Sequence, residues 1–193
     1  MILERYLSLK RAATVNKLIS PGHRSGRILD IGCGEHPGFL ISTDFNEKYG
    51  IDRLVKDEVP DNAGKWKIFI KNCDIQKDGM GSFPDGYFDV VTMLAVIEHL
   101  DPQGLPAMIK EINRVLKTSG IFILTTPAPW ANFIMQVLSK LKLINTQLFE
   151  EHKMLYHNSD LLSVLTKGGF QKENIKFGKF EIFINTWSSA VKT

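Results

Sequence analysis

The sequence lacks several features that would place it in common classes of protein. Its 193 residues include only two cysteines, Cys33 and Cys73, which are too few for a disulfide framework or a cysteine metal cluster. No run of about 18 apolar residues is present, so we expect no membrane-spanning helix. No secretory signal precedes the first helical pattern, and a cytoplasmic location is therefore expected.

The sequence also lacks a strong net charge, since 24 Lys and Arg nearly balance 21 Asp and Glu. No basic block with interleaved aromatic residues is present, and we expect no nucleic-acid partner. The charges are nevertheless uneven. Residues 1–27 contain six basic residues and one acidic residue, whereas residues 28–139 contain ten basic and fifteen acidic residues. An acidic centre suits a cationic ligand, and basic flanks could favour an anionic substrate or surface. Scattered, solvated lysines are the favoured explanation of the basic flanks.

The most informative stretch is Arg27–Gly34, an apolar run that ends in a glycine-rich turn. The run is typical of a strand buried on both faces, and Gly32 and Gly34 allow a ligand to approach the backbone. The turn lacks the lysine of a phosphate-binding Walker loop, and the spacing to Gly38 is one residue longer than in the dinucleotide fingerprint. Asp30 would repel a pyrophosphate but not a cationic ligand.

The rest of the chain alternates predicted strands with predicted helices. We predict helices at residues 2–19 and over the apolar stripe at 105–116, and further strands at 49–52, 66–70, 88–91 and 121–124. This alternation predicts a doubly wound, Rossmann-like α/β fold with helices on both faces of the sheet. We expect seven strands that are mostly parallel, with an antiparallel last strand. Residues 169–190 supply the last pair, with a turn near Gly178.

We expect one domain over residues 1–193. Its parts are an N-terminal helix in 1–26, a ligand-binding core in 27–127, a proposed lid in 128–150, and a C-terminal helix with the last strands in 151–193. The lid is suggested because residues 128–150 have apolar side chains on more than one helical face. A helix buried in the core explains the same pattern equally well. A lid would close over an apolar acceptor or make peripheral contact with a membrane.

Acidic residues follow the second and third predicted strands. Asp52 lies 22 residues after Asp30, the length of one strand–helix–strand unit. At the end of the second strand, its carboxylate can accept hydrogen bonds from both ribose hydroxyls of an adenosine ligand. Asp74 could accept from an adenine amino group while Ile75 covers the ring. An aspartate in an ordinary turn is the alternative explanation for Asp52.

Several motifs resemble those of class I S-adenosylmethionine-dependent methyltransferases. Leu29–Gly34 resembles the first motif of that family. Phe83–Val91, Glu98–Leu100, Arg114–Lys117 and the segment from His152 to Phe170 are similar to small-molecule methyltransferases that include quinone-biosynthesis enzymes. The resemblance implies S-adenosylmethionine as the cofactor. The residues it implies for cofactor binding are Asp30, Gly32, Cys33, Gly34, Asp52, Asp74, Ile75 and Leu94.

The resemblance implies an enzyme that methylates a small molecule, although the sequence identifies neither the acceptor nor the oligomeric state. Methyl transfer depends mainly on alignment, and a base is needed only when the acceptor must lose a proton. Candidate bases are His99, His152 and His157. His99 is equally explained as a histidine that bonds the backbone at a helix start. The alternative functions are a regulatory protein that binds S-adenosylmethionine without turnover and, less favoured, a nicotinamide-dependent oxidoreductase.

Overall fold

The computed structural model describes residues 2–55, 59–60, 67–80, 82–131, 154–181 and 184–193. These residues form an eight-stranded sheet with the order β3-β4-β2-β1-β5-β6-β8-β7. The strands are β1 (Arg27–Ile31), β2 (Glu47–Asp52), β3 (Val59–Pro60), β4 (Ile68–Asn72), β5 (Phe88–Leu94), β6 (Leu116–Pro127), β7 (Ile175–Phe180) and β8 (Asn185–Val191).

The centre of the sheet is parallel. β1 pairs in parallel with β2 and β5, β2 with β4, and β5 with β6. From β1 the chain builds outwards through β2 to β4, and it then returns to add β5 and β6 on the other side. The strand order therefore reverses between β1 and β5, which is where open α/β sheets bind their ligands.

The two edges of the sheet are antiparallel. β8 pairs with β6 and β7, and the two-residue β3 pairs with β4. The predicted seven-stranded, mostly parallel sheet with an antiparallel last strand is confirmed, and β3 is a short addition at its edge. The predicted turn near Gly178 is wrong, because Gly178 lies inside β7 opposite Trp187. A Cβ at residue 178 would lie 2.3 Å from the Trp187 ring, so this glycine makes room for an indole.

Helices cover both faces of the sheet, as predicted. They are α1 (Ile2–Leu18), α2 (Gly38–Ser42), α3 (Ile75–Asp78), α4 (Leu105–Val115) and α5 (Asn158–Lys167). Successive residues of a strand point to opposite faces. Ile28 therefore packs in a core cluster with α1 and α2, whereas Leu29 packs in a second cluster with α4 and α5. No helix in the described ranges is both long and apolar enough to cross a membrane.

The predicted end of the helix over residues 105–116 is one residue too late. The helix α4 ends at Val115, and Leu116 already pairs with Phe88 as the first residue of β6. Leu116 continues the apolar stripe of the helix, and for that reason periodicity alone extended the helix by one residue. The side chain of Leu116 is fully buried in the α4 and α5 cluster. An apolar side chain at this spacing is therefore buried in the same cluster whether its residue belongs to the helix or to the strand that follows.

Candidate functional site

A cleft of about 490 Å³ opens at the carboxyl ends of the parallel strands, beside the point where the strand order reverses. Its wall includes five of the residues predicted from the sequence, which are Gly32, Asp52, Asp74, Ile75 and His99. Asp52 is the last residue of β2, and the other four follow β1, β4 and β5. They meet because parallel strands end at one edge of the sheet. The wall also contains residues that sequence reasoning missed, including Leu54, Gln76, Ala95 and Val96.

The glycine turn after β1 has the backbone conformation that favours glycine. Gly32 has φ +75° and Gly34 has φ +69°. A Cβ on Gly32 would lie 2.3 Å from Val96 Cγ2, so the turn lies directly against the segment that follows β5. The Gly32 N–H donates to Ile51 O at 2.8 Å and fixes the turn on β2. At Gly34, the nearest atom to such a Cβ is 4.0 Å away, which leaves open space beside the backbone.

Asp52 joins the end of β2 to this turn. Its Oδ2 accepts from the Gly34 N–H at 2.8 Å, and its Oδ1 accepts from the Leu54 N–H at 2.8 Å. An ionised carboxylate has about four acceptor positions, and each Asp52 oxygen therefore retains one for a ligand. Asp52 thus holds the turn in place and, as far as the described residues go, keeps acceptor positions open towards the cleft.

Asp30 is buried behind this surface and does not line the cleft. Its Oδ1 accepts from the Thr92 hydroxyl at 2.6 Å. Burial raises the pKa of Asp30 to about 7, against the opposing effect of the Thr92 hydrogen bond, and the negative charge of Asp52 raises it further. Asp30 is therefore about half ionised near neutral pH, and a nearby positive charge would favour its ionised form.

Cys33 and Leu94 have side chains in the core that α1 and α2 cover. The Cys33 thiol lies so close to β2 that a Cβ on Gly50 would be 2.7 Å from its Sγ, and burial raises the pKa of this thiol. Cys33 can therefore reach a ligand only through its backbone. Next to Leu94, it is Ala95 that lines the cleft, and its φ of +58° turns the chain across the end of β5.

The wall opposite the glycine turn begins with Asp74. Its Oδ1 accepts from the Gln76 N–H at 3.1 Å and caps the short helix α3, which places the nearly buried Ile75 against the cleft. Gln76 then holds this helix in place through the backbone of Asp101. Its Nε2 donates to Asp101 O at 3.0 Å, and its Oε1 accepts from the Asp101 N–H at 2.9 Å. Sequence reasoning missed Gln76 because its partner lies 25 residues away.

The three candidate histidines do not meet at one site. His99 lines the cleft, whereas His157 lines a separate pocket of about 410 Å³ together with Tyr156, Lys179 and Thr186. His157 also precedes α5, and its N–H donates to Asp160 Oδ2 at 2.8 Å. His152 and most of the proposed lid, residues 132–150, lie outside the described residues. In the part of the chain that the structure covers, no three His, Cys, Asp or Glu side chains form a metal site.

Comparison with known families places this site in a chemical context. The profile of the methyltransferase domain family matches residues 3–175, which include every strand from β1 to β6 and the whole cleft. The chain belongs to this family. The predicted methyltransferase activity is confirmed by this family assignment, and so is S-adenosylmethionine as the cofactor. The assignment also disfavours the nicotinamide-dependent oxidoreductase.

Individual relatives share sequence or fold with this chain. An uncharacterised methyltransferase of Synechocystis is 28% identical over 160 residues, which are 80% of this chain and 70% of that protein. An S-adenosylmethionine-dependent methyltransferase from Archaeoglobus fulgidus has the same fold, with a TM-score of 0.66 at 20% identity over 94% of this chain and 92% of that chain. A structure from Thermotoga maritima, described as a possible histamine N-methyltransferase, matches with a TM-score of 0.70 at 18% identity. The match covers 100% of this chain and 92% of that chain.

The described residues fit the cofactor. The open space beside Gly34 accommodates a ligand against the backbone, and the free acceptor positions of Asp52 suit a pair of ribose hydroxyls. Asp30 and Asp52 bring two carboxyl groups near the turn, which suits a cofactor that carries positive charge. When bound, S-adenosylmethionine would supply a methyl group attached to a positively charged sulfonium. An acceptor atom would bond to the methyl carbon from the side opposite the sulfur, which leaves as a neutral thioether.

Proposed function

We propose that this protein transfers the methyl group of S-adenosylmethionine to a small-molecule acceptor, with Asp30, Gly32, Cys33, Gly34, Asp52, Asp74, Ile75 and Leu94 forming or supporting the cofactor site. The observation that carries the proposal is the hydrogen bond between the Gly34 N–H and Asp52 Oδ2. It joins the glycine turn of β1 to the carboxylate of β2 in the wall of the cleft. The resemblance to small-molecule methyltransferases of the quinone-biosynthesis type supports a small acceptor.

Each segment of the cleft has a distinct task in this proposal. Asp52 accepts from the cofactor ribose, Asp74 and Ile75 receive the adenine, and the backbone of the glycine turn receives the rest of the cofactor. Cys33 contributes through its backbone, while Leu94 supports the turn at Ala95. His99 lines the same cleft and is the candidate base for an acceptor that must lose a proton. The reaction then depends on alignment of the acceptor and on exclusion of water.

The first test removes the carboxylate of Asp52. We expect Asp52→Ala to weaken the binding of S-adenosylmethionine by about tenfold or more, because a hydrogen bond to a charged group contributes roughly 1.5–3 kcal/mol. Isothermal calorimetry measures the change, and a thermal melt checks that the variant is folded. Asp44→Ala is the matched control, since Asp44 is an exposed carboxylate just before β2. An unchanged dissociation constant for Asp52→Ala would remove Asp52 from the cofactor site.

The second test asks whether a histidine acts as a base. If His99 accepts a proton from the acceptor, His99→Gln should lower kcat by about 10²–10⁴ and leave cofactor affinity unchanged. His157→Gln is the comparison, because His157 lines the separate pocket. Single-turnover rates with labelled S-adenosylmethionine distinguish the two variants. Rates within threefold of the parent for both variants would show that alignment carries the reaction without either histidine.

Turnover itself separates the enzyme from a regulatory protein that only binds S-adenosylmethionine. We expect methyl transfer in a screen of quinones, catechols, sugars and amines. The acceptor could be apolar, and contact with a membrane would be peripheral. Saturable cofactor binding without transfer to any acceptor class would instead support the regulatory alternative.

A further inference from the structure

The pocket of about 410 Å³ lies at the same edge of the sheet as the cofactor cleft. Its wall is formed by the segment after β6, the beginning of α5, and the facing strands β7 and β8. β6 runs parallel to β5, so its carboxyl end reaches the edge where the cleft opens. Pockets of about 300–1,000 Å³ typically bind small molecules. The cofactor is assigned to the cleft, and this pocket is therefore available for a second ligand.

The pocket and the cofactor cleft are close neighbours. Ala95 lines the cleft, and its N–H donates to Thr125 O at 2.9 Å. Ala128 lines the pocket and follows Thr125 by three residues. Because an extended chain advances at most about 3.6 Å per residue, the Cα atoms of Thr125 and Ala128 are within about 11 Å of each other. One short stretch of backbone therefore connects the two walls, as a pocket for the methyl acceptor requires.

One side of the pocket is apolar. It is formed by Ala128, Pro129 and Trp130, which follow β6 directly. The Trp130 side chain is 44% exposed although it is one of the largest apolar groups in the chain. An indole ring offers a broad face for an aromatic or other apolar group. This side of the pocket therefore suits the apolar body of a ligand.

The other side of the pocket consists of hydrogen-bond donors. Lys179 of β7 lies opposite Thr186 of β8 in the antiparallel ladder, so both side chains project from the same face of the sheet. Asn158 and Ser159 begin α5, and both are exposed where they line the pocket. These four side chains carry an ammonium, two hydroxyls and an amide, which can all donate to one acceptor group.

The charge of this wall differs from that of the cofactor cleft. The cleft wall contains the carboxylates of Asp52 and Asp74, whereas the described residues of the pocket wall include Lys179 and no Asp or Glu. The next carboxylate along α5 is that of Asp160, and its Oδ2 already accepts the His157 N–H at 2.8 Å. Lys179 has a further interaction within the protein, but an ammonium has three N–H donors and can share them with a ligand.

We propose that this pocket binds a methyl acceptor that carries a carboxylate or a phosphate on an apolar body. The inference rests on the proposed methyl transfer and narrows its acceptor class. Lys179 pairs with the anionic group, the neighbouring donors of Ser159 and Thr186 complete its hydrogen bonds, and Trp130 packs against the apolar body. Charge-assisted hydrogen bonds are roughly twice as strong as neutral ones, so the anionic group determines how the acceptor is oriented.

Matched anionic and neutral probes test the proposal. We would measure the binding of benzoate, phenyl phosphate and neutral benzamide to the full chain saturated with S-adenosylhomocysteine. We expect at least one anion to bind about tenfold or more tightly than benzamide, and the tighter anion identifies the group that the pocket prefers. Lys179→Gln should remove the difference between anion and amide. Trp130→Ala should weaken all three probes, because each contains the same ring.

The control variant is Lys176→Gln. Lys176 is an exposed lysine of the same strand, but it lies three residues from Lys179 and therefore projects from the opposite face. We expect it to leave every affinity unchanged. Equal binding of benzamide and both anions, no binding of any probe, or equal losses in the two lysine variants would overturn the anion proposal.

The cofactor itself distinguishes this proposal from the broader one. S-adenosylhomocysteine should bind Lys179→Gln as tightly as it binds the parent, and neither anion should displace it. Displacement would place the anions in the cofactor cleft and would contradict a separate acceptor pocket. Failure of S-adenosylhomocysteine to bind the parent protein would instead overturn the cofactor site on which methyl transfer depends.

Discussion

Replacing Gly32 by alanine should lower the free energy of unfolding by about 2–5 kcal/mol and abolish cofactor binding. The new Cβ would lie 2.3 Å from Val96 Cγ2, and overpacking of this kind costs about 1–3 kcal/mol. The left-handed conformation of residue 32 adds about 1–2 kcal/mol for any residue with a Cβ. The turn can relieve both costs only by moving away from the segment after β5, and this movement would distort the cofactor cleft.

Gly34→Ala is the matched control for this effect. Gly34 has nearly the same φ, but a Cβ there would meet no atom closer than 4.0 Å. Only the conformational cost of about 1–2 kcal/mol therefore applies to stability. Urea denaturation of both variants without cofactor measures the difference. Equal losses of stability would mean that Val96 moves aside readily and that the close approach of residues 32 and 96 has no energetic weight.

Asp30→Asn should stabilise the free protein at pH 8 by up to about 4 kcal/mol, with little change near pH 4. The folded protein keeps the Asp30 proton up to a pKa of about 7, whereas an unfolded chain releases it near 3.8. Between these values the folded state binds more protons, so the stability of the parent falls as pH rises from about 4 to 7. The limit follows from about 1.4 kcal/mol for each pH unit.

Asparagine is the appropriate replacement because its Oδ1 can still accept from the Thr92 hydroxyl. Denaturant unfolding of parent and variant at pH 4, 6 and 8 gives the three differences. A constant difference at all three pH values would contradict the raised pKa of Asp30. S-adenosylmethionine binding should be weaker in Asp30→Asn at pH 8, where the parent carries the negative charge that the variant lacks. Stability and affinity would then change in opposite directions.

The sequence predicted those parts of the site that local patterns determine. The apolar run predicts the strand before Gly32. The distance of 22 residues from Asp30, the length of one strand–helix–strand unit, predicts that Asp52 ends the next strand. The contact between Gln76 and the Asp101 backbone could not be predicted in this way. The two residues lie 25 positions apart along the chain, and they meet only because the segments after β4 and β5 lie at the same edge of the sheet.

The errors have the same origin. Glycine commonly occurs in turns, and the sequence therefore predicts a turn near Gly178, but the neighbour of Gly178 is the Trp187 ring across the sheet. Leu116 extended the pattern of α4 although it is the first residue of β6. In both cases a tertiary contact determined the conformation. One-dimensional periodicity contains no information about such contacts.

The two hydrogen bonds between the Gln76 side chain and the Asp101 backbone have a consequence for affinity. They connect the segment after β4 to the segment after β5, and so set the separation of two walls of the cofactor cleft. The entropy of ordering these walls is lost when the chain folds, and little of it remains to be lost when the cofactor binds. The Gln76 amide therefore raises the affinity for the cofactor by holding two walls of the cleft in place before the cofactor binds.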